Sequence, residues 1–494
     1  MAQRRATSLA RRAIGRTRQV VVVVLTLAIV AVLVVMDRRP MGGVESVVGG
    51  LSSLPEFRRD AKASTWFCPG VVGNDDSIGG SLIIANAGET PVGGTITRFF
   101  VDGASRQQRF AVPARSSLQV DALAGVSSPF VSALVESQGA AVAVEQITRH
   151  RAGNAVASCA SAPAGSWYLA DGFTGADSID NVVVTNPSLD SAILDISFVT
   201  SIGERSPQSL KGVVIPPESV RVFDLASLDA RNEAIAAVSV RASVGRVVVG
   251  RSQHYLGRGR LGYTMTLASS LSSNRWFFAD GEKAPGVAEE YVIYNPSTSD
   301  QQLTFIVAGD DGVAIDPIVV TASAKRVTKF APAGLSALPD GRYSVIVSSV
   351  AAIPGTSVAD GVVMERVTTR DQGKTVASAV LLGAPTPAVS WMAPAGVAVD
   401  VGDSLRVFNP GSQPATFRVT YLGPAGDVPV TGYEEVSLAP GASTSVQLGS
   451  ETAASAVSVI SNEPVVVQRR VSRGAKQPVN GVAPLIVVAE SSSP

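Results

Sequence analysis

Trp167-Tyr168-Leu169-Ala170-Asp171-Gly172 is one of four versions of a single phrase. The others are Trp66-Phe67-Cys68-Pro69-Gly70, Trp276-Phe277-Phe278-Ala279-Asp280-Gly281 and Trp391-Met392-Ala393-Pro394-Ala395-Gly396. Together they hold all four tryptophans of the chain, at steps of 101, 109 and 115 residues. A rare residue recurring in one context marks internal repetition. The chain therefore reads as one module written four times.

About nineteen residues after each tryptophan comes a run that ends in Asn: Ser81–Asn86, Asn181–Asn186, Glu290–Asn295 and Ser404–Asn409. Its β-branched and aromatic content suits a strand. Asn bonds its own following backbone and the Pro after it in three copies has no donor, so the strand stops there. A second strand with period-two alternation follows, as in Leu194–Val199 and Phe417–Leu422. A Pro- or small-residue turn then leads into another strand. Each copy closes on two apolar runs joined by a short turn, read as a hairpin, most plainly Ala456–Ile460 and Val465–Arg470 around Ser461-Asn462-Glu463-Pro464. Roughly seven short strands per 100 residues with turns between them is the pattern of an immunoglobulin-like sandwich. The fold expected is all-β, with repeats at 64–163, 164–273, 274–388 and 389–494.

Ahead of the repeats, Val20–Met36 is apolar except for Thr26. A helix of that length, at about 1.5 Å per residue, just spans a bilayer, and in lipid helix is the way a single segment satisfies its own backbone. Arg4, Arg5, Arg11, Arg12, Arg16 and Arg18 precede it, whereas Asp37, Arg38 and Arg39 follow. That asymmetry keeps the N-terminus cytoplasmic and puts the bulk outside. The apolar run is longer than a signal-peptide core and lacks an A-x-A-like site, so an uncleaved anchor is expected. The organisation is then a basic arm (1–18), a transmembrane signal-anchor (19–36), a linker (37–63) and the four copies.

Lys plus Arg equals Asp plus Glu at 41 each, which gives no bulk attraction for nucleic acid. Gly and Pro number 46 and 29, in keeping with many turns. The two cysteines, Cys68 and Cys159, both fall in the first copy, at its opening and its end; outside the membrane such a pair reads as a disulfide.

The phrase Trp, Phe or Tyr, any residue, Ala, Asp, Gly, followed by Asn-Pro and a strand ending in Glu-Arg, resembles repeats of bacterial surface proteins. Over about residues 15–490 the chain is similar to an uncharacterised actinobacterial family of signal-anchored extracytoplasmic proteins, best at Trp167–Pro187 and Trp276–Pro296. The first copy departs at Cys68-Pro69 and Asn86-Ala87, and the fourth has no Asp before Gly396. That family has no assigned catalytic residues, so the resemblance implies fold and location but no mechanism.

The tryptophans Trp66, Trp167, Trp276 and Trp391 fit a core better than a sugar-stacking platform, because each sits at one place in a strand-like phrase and is followed in three copies by another large apolar residue. Asn86, Asn186, Asn295 and Asn409 mark structural positions. Asp75-Asp76, Asp171, Asp177, Asp180 and Asp280 read as turn residues, since no D-x-D-x-D-G loop gathers the six or more oxygens calcium needs. Glu145, Arg251, Glu365-Arg366 and Arg469-Arg470 form a partner-binding stripe or, by preference, solvated strand ends. His150 and His254 lie in different copies and offer a general base only in a wall-hydrolase reading. No G-x-S-x-G, H-E-x-x-H or phosphate loop occurs. No cofactor, metal or catalytic residue is expected. The reading is a membrane-anchored, non-enzymatic scaffold or interaction protein of the bacterial cell envelope; the alternative is an envelope glycan-binding or accessory protein of an envelope-assembly enzyme.

Overall fold

The computed structural model describes residues 56–57, 62–73, 78–139, 141–351, 361–371, 376–394, 402–423, 425–449, 455–472, 482–486 and 488–490. The arm, the expected membrane segment and Asp75-Asp76 lie outside them. Among the described residues no helix is long and apolar enough to cross a membrane. What is described is strand, with four short 3-10 turns.

Each copy has eight strand positions where about seven were expected, and the fourth is split into two short strands in copy 2 (Gly203–Arg205 and Val213–Ile215) and copy 4 (Gly426–Pro429 and Val436–Leu438). The first strands, which carry the tryptophans, are Ser64–Val72, Ser166–Leu169, Arg275–Lys283 and Ala388–Ala393. The second, ending at the Asn, are Ile78–Asn86, Ile179–Asn186, Val287–Asn295 and Gly402–Phe408. The third are Val92–Phe100, Ala192–Thr200, Gln301–Gly309 and Ala415–Gly423. One sheet of every copy runs first, sixth, third, fourth; the other runs fifth, second, seventh, eighth. The first strand thus shares a sheet with the third, whereas the immunoglobulin order puts first beside second.

The expected closing hairpin is a crossover. The sixth strands Phe130–Gln138, Ala237–Val244 and Gly341–Ala351 pair in one sheet, and the seventh strands Val142–His150, Val248–Gly257 and Val363–Asp371 pair in the other. In the fourth copy both are one strand, Val457–Ser472, whose first half pairs with the first and third strands and whose second half pairs with the second and eighth. Two apolar strands around a short link look alike in sequence whether they pair or change sheets. The true hairpin follows, from the seventh strand to the short eighth: Ala155–Ser158, Arg260–Leu267, Val376–Leu382 and Val482–Ile486.

The tryptophan holds this crossover. Each pairs with a valine of the sixth strand: Val135, Val240, Val347 and Val459. Each indole Nε1 donates to the carbonyl where the seventh strand begins: Val142 at 3.1 Å, Val247 at 2.8 Å, Val362 at 2.8 Å and Val465 at 3.0 Å. All four side chains are buried, at 0–2% exposure. A buried donor needs a partner, and here the partner lies where the backbone leaves one sheet for the other.

The Asn is the second pin. Its Oδ1 accepts from the N–H two residues on, at Gly88, Ser188, Ser297 and Gly411. Its Nδ2 donates to the carbonyl four residues on and to the turn between fourth and fifth strands, reaching Val112, Ile215, Ala322 and Leu438. A buried amide thus replaces the ladder where the strand stops.

Cys68 and Cys159 form a disulfide across 91 residues, joining the first strand of copy 1 to the segment after its eighth. Residues 52–493 make up one compact unit.

Two outcomes follow. Trp276→Phe removes the indole bond and leaves the Val362 carbonyl with the backbone N–H of Ser273, at 2.9 Å, as its remaining partner. It should lower stability by about 0.5–1.5 kcal/mol, and Trp276→Ala by about 3–5 kcal/mol, both read by urea unfolding; a near-neutral Trp276→Ala would remove the tryptophan from its structural role. A reductant should raise hydrogen exchange in copy 1 and leave copy 3 as it was. The chain-entropy value for that loop is about 4 kcal/mol, and equal loss in both copies would contradict the role given to the disulfide.

Candidate functional site

The polar residues singled out in the sequence collect at the seams between copies. The residue after each tryptophan is a key into the next copy. Phe67 packs in the core of copy 2 with Trp167 and Leu169. Tyr168 and Ala170 join the core of copy 3, where Tyr168 lies 6.3 Å from Tyr294. Phe277 and Ala279 pack with Phe408 and Val466 of copy 4. Met392 of copy 4 enters the core of copy 1, beside Trp66 and Cys68. The fourth contact returns to the first copy, so the sandwiches form a closed ring.

A second set of contacts repeats the circuit. The turn between third and fourth strands meets the next copy's turn into its fifth strand. Phe100 bridges Ser219. Arg326 lies against Gly203. Ser443 N donates to Asp310 O at 3.1 Å, and Arg406 pairs with the Asp310 carboxylate. Arg115 pairs with Asp427, which closes copy 4 onto copy 1. The eighth strands pack on one another in the same order, again from copy 4 to copy 1. The backbone of Glu56–Phe57 runs parallel to Val488–Glu490, which itself pairs with the first strand of copy 4.

Beyond the tryptophan the opening phrase breaks register, between Cys68 and Val71 and between Phe278 and Gly281. Such bulges leave peptide groups unpaired. Gly70 sits at φ 108°, with the Val131 carbonyl and the Phe130 ring where a side chain would go. Seventh-strand side chains satisfy the freed groups. Gln146 bonds both N and O of Gly70, at 2.8 and 2.6 Å, within copy 1. Across seams, Glu365 accepts from Asp171 N at 2.6 Å, and Gln468 accepts from Ala279 N and Asp280 N at 3.0 and 3.1 Å.

The charged stripe is therefore largely buried, not solvated. Arg469 forks onto Asp403, at 2.9 and 2.7 Å, and reaches Glu145 of copy 1 at 3.2 Å. Arg251 bonds Asp180 at 2.9 Å, and Arg366 bonds the Asp280 carbonyl and faces Glu289 at 3.8 Å. Both carboxylate oxygens of Asp171 accept from one nitrogen, Arg260 Nη1, at 3.1 and 3.0 Å. Arg470 alone of the stripe keeps a partly exposed head, on Asp280 and Glu282. The acids weighed for calcium are spent on arginines: Asp171, Asp180 and Asp280 as above, with exposed Asp177 3.9 Å from Arg231. Among the described residues no group of three or more His, Cys, Asp or Glu is placed to hold a metal.

The two histidines meet across the seam of copies 1 and 2. Their rings are 4.6 Å apart, edge to face, and His150 stacks on Tyr263 at 4.5 Å. His150 Nδ1 accepts from Ala152 N, and the Tyr263 hydroxyl shares a hydrogen bond with Ser252, while burial pushes that phenol up to about 12. Sequence reading missed the eighth strand and the partners Arg260, Glu282 and Glu289. The large apolar residue after each tryptophan was the visible signal of a seam.

Burial dominates the titration at the seam of copies 2 and 3. Loss of water pushes Glu365 up to about 7 and Asp180 up to about 6. Asp171 loses water too, yet Arg260 and Arg251 hold it below the usual carboxylate value. A raised carboxyl binds its proton more tightly folded than unfolded. The contribution of Glu365 is thus complete below its unfolded value and is lost as pH rises toward 7. Glu365→Gln reproduces what copy 4 has at Gln468. The variant should match the parent near pH 4 and exceed it at pH 8 by up to about 3 kcal/mol, checked by thermal unfolding across pH; parallel pH profiles would refute the assignment.

A family model described as a family of unknown function (DUF5719) matches residues 124–380 and again 272–484. The overlap lies in copy 3. No curated protein matches. The crystal structure of a tetra-tandem repeat in the extending region of a large adhesion protein matches at 11% identity, covering 83% of this chain and 94% of that one. Its TM-score of 0.11 is too low for the two chains to superpose as wholes. The two stretches of the family match cover well over half of the 494 residues, and the chain belongs to the family of unknown function DUF5719.

Proposed function

We propose that this protein is a membrane-anchored, non-enzymatic scaffold of the bacterial cell envelope, whose ring of four immunoglobulin-like sandwiches, each with its first strand moved to the other sheet, stands outside the membrane as an interaction platform. The observation that carries the reading is the return of copy 4 onto copy 1 through Met392, Arg469–Glu145 and Arg115–Asp427. Residues that a binding array would leave in solvent are used to join copies, which favours one stiff body over a string of domains. The histidines are held by ring stacking in a seam, which supports packing over catalysis. The apolar run Val20–Met36 behind six arginines supports the anchor and its orientation.

The test uses the full-length chain with an epitope at each end, in cells stripped of wall and treated with protease. The C-terminal epitope should be lost and the N-terminal one protected. Survival of the C-terminal epitope, or a mature N-terminus near residue 40, would overturn the anchored, outward arrangement. Crosslinking in cells from Val101 and Ile202, exposed on neighbouring third-to-fourth-strand turns, should capture one envelope component; none captured from either site would count against the platform.

A further inference from the structure

At the seam of copies 3 and 4, cationic side chains outnumber their carboxylates where the seam reaches solvent. Arg342 lies at the start of the sixth strand of copy 3, Arg370 at the end of its seventh, and Arg470 on the long strand of copy 4. All three converge on Asp280 and Glu282. Arg342 is 2.9 Å from Asp280 and 3.2 Å from Glu282; Arg470 is 2.8 and 2.7 Å from the same two; Arg370 bonds Glu282. Beneath them Arg366 faces its own carboxylate, Glu289. The group therefore has three guanidinium charges on two carboxylates.

The excess is reachable. The side chains of Arg342, Arg370 and Arg470 are 31%, 14% and 11% exposed. Each guanidinium has five N–H donors, and the two carboxylates use few of them. Arg370 Nε is buried and has no hydrogen-bond partner. Burial first, and then Arg470 and Arg370, hold the Arg342 guanidinium below its ordinary value despite the two acids. Against its own burial, bonds from Arg370 and Arg470 hold Glu282 at about 2, so it stays ionised as the fixed counter-charge. The buried ion pairs at other seams carry no such excess of cation: Arg260 meets Asp171, and Arg469 meets both Asp403 and Glu145.

We propose that Arg342, Arg370 and Arg470 form a binding site for a phosphate group, free or esterified, at the seam of copies 3 and 4. Three guanidinium forks from three strands suit a tetrahedral phosphate, whose four oxygens, two or more of them anionic, do not lie in one plane; a planar carboxylate offers two in a single plane. Binding supplies the missing negative charge and ties the sixth and seventh strands of copy 3 to copy 4. The site rests on the seam alone and not on the location of the protein.

The test titrates the full-length chain in neutral detergent at constant ionic strength, by calorimetry. The probes are inorganic phosphate, dimethyl phosphate, and short-chain phosphatidylglycerol in the detergent micelle; acetate is the control. Saturable binding of at least one phosphate probe, with acetate much weaker, is expected, and the preferred probe names the source as free ion, soluble diester or lipid. Arg342→Gln, at the most exposed of the three, should weaken that binding roughly tenfold or more, with Arg342→Lys intermediate. Glu282→Gln removes a competing carboxylate and should strengthen it. Non-saturable heat from every phosphate probe, equal affinity for acetate, or affinity unchanged in Arg342→Gln would each overturn the site. Should Glu282→Gln fail to fold, the Arg342 pair still decides.

Discussion

One hydrogen bond made four times sets the rest: an indole N–H in the first strand to the carbonyl that opens the seventh. The sixth and seventh strands are neighbours in sequence and belong to opposite sheets. A chain changing sheets inside a core exposes peptide groups with no ladder to join, and each left unmet costs about 1–3 kcal/mol. Tryptophan combines the large apolar body that fills the space between sheets with a single donor at its edge. Phenylalanine would fill the space and remove this bond, leaving the Val247 and Val362 carbonyls with only the backbone N–H of Ala164 and Ser273.

The same phrase then builds the ring. After the tryptophan one side chain turns into the neighbouring copy, and the next residues bulge so that their peptide groups face seventh-strand side chains. Core and seam are thus specified within six residues. Loss of the tryptophan would shift the bulge and the key together, which couples the folding of a copy to its attachment. Copies joined in this way behave as one cooperative body where neighbour terms dominate.

Much of this was legible in the chain. The tryptophan and Asn positions and the all-β class follow from recurrence and from period-two alternation, which are local signals. The crossover was not legible, because Val457–Ile460 and Val465–Val467 carry the same apolar character whichever sheet they join. The eighth strand was missed because it carries no recurring residue: Ala155–Ser158 and Arg260–Leu267 share neither length nor composition. Charge was misjudged for a physical reason: Glu145, Arg251, Glu365 and Arg469 look like solvated strand ends in the sequence of one copy, whereas the folded chain buries all four and gives Glu145, Glu365 and Arg469 partners in a neighbouring copy. The meeting of His150 with His254 likewise depends on two copies 104 residues apart in the chain being adjacent in space.

Repetition creates a problem that the seams solve. Four similar sandwiches invite mispairing, since any seventh strand resembles the others. The facing groups differ at each seam: Gly250 against Pro69, Glu365 on the Asp171 amide, Gln468 on the Ala279 and Asp280 amides, and Glu145 on Arg469. A wrong neighbour would bury a carboxylate without its donor or press a longer side chain into the space over Pro69 that Gly250 leaves. Either cost adds to the lost contacts in disfavouring the wrong order. The departures from the repeat consensus are therefore informative in their own right. Pro69 in copy 1 packs on Gly250 of copy 2, and the Pro394 carbonyl of copy 4 accepts from Ser117 of copy 1, so two of these departures stand where one copy meets the next.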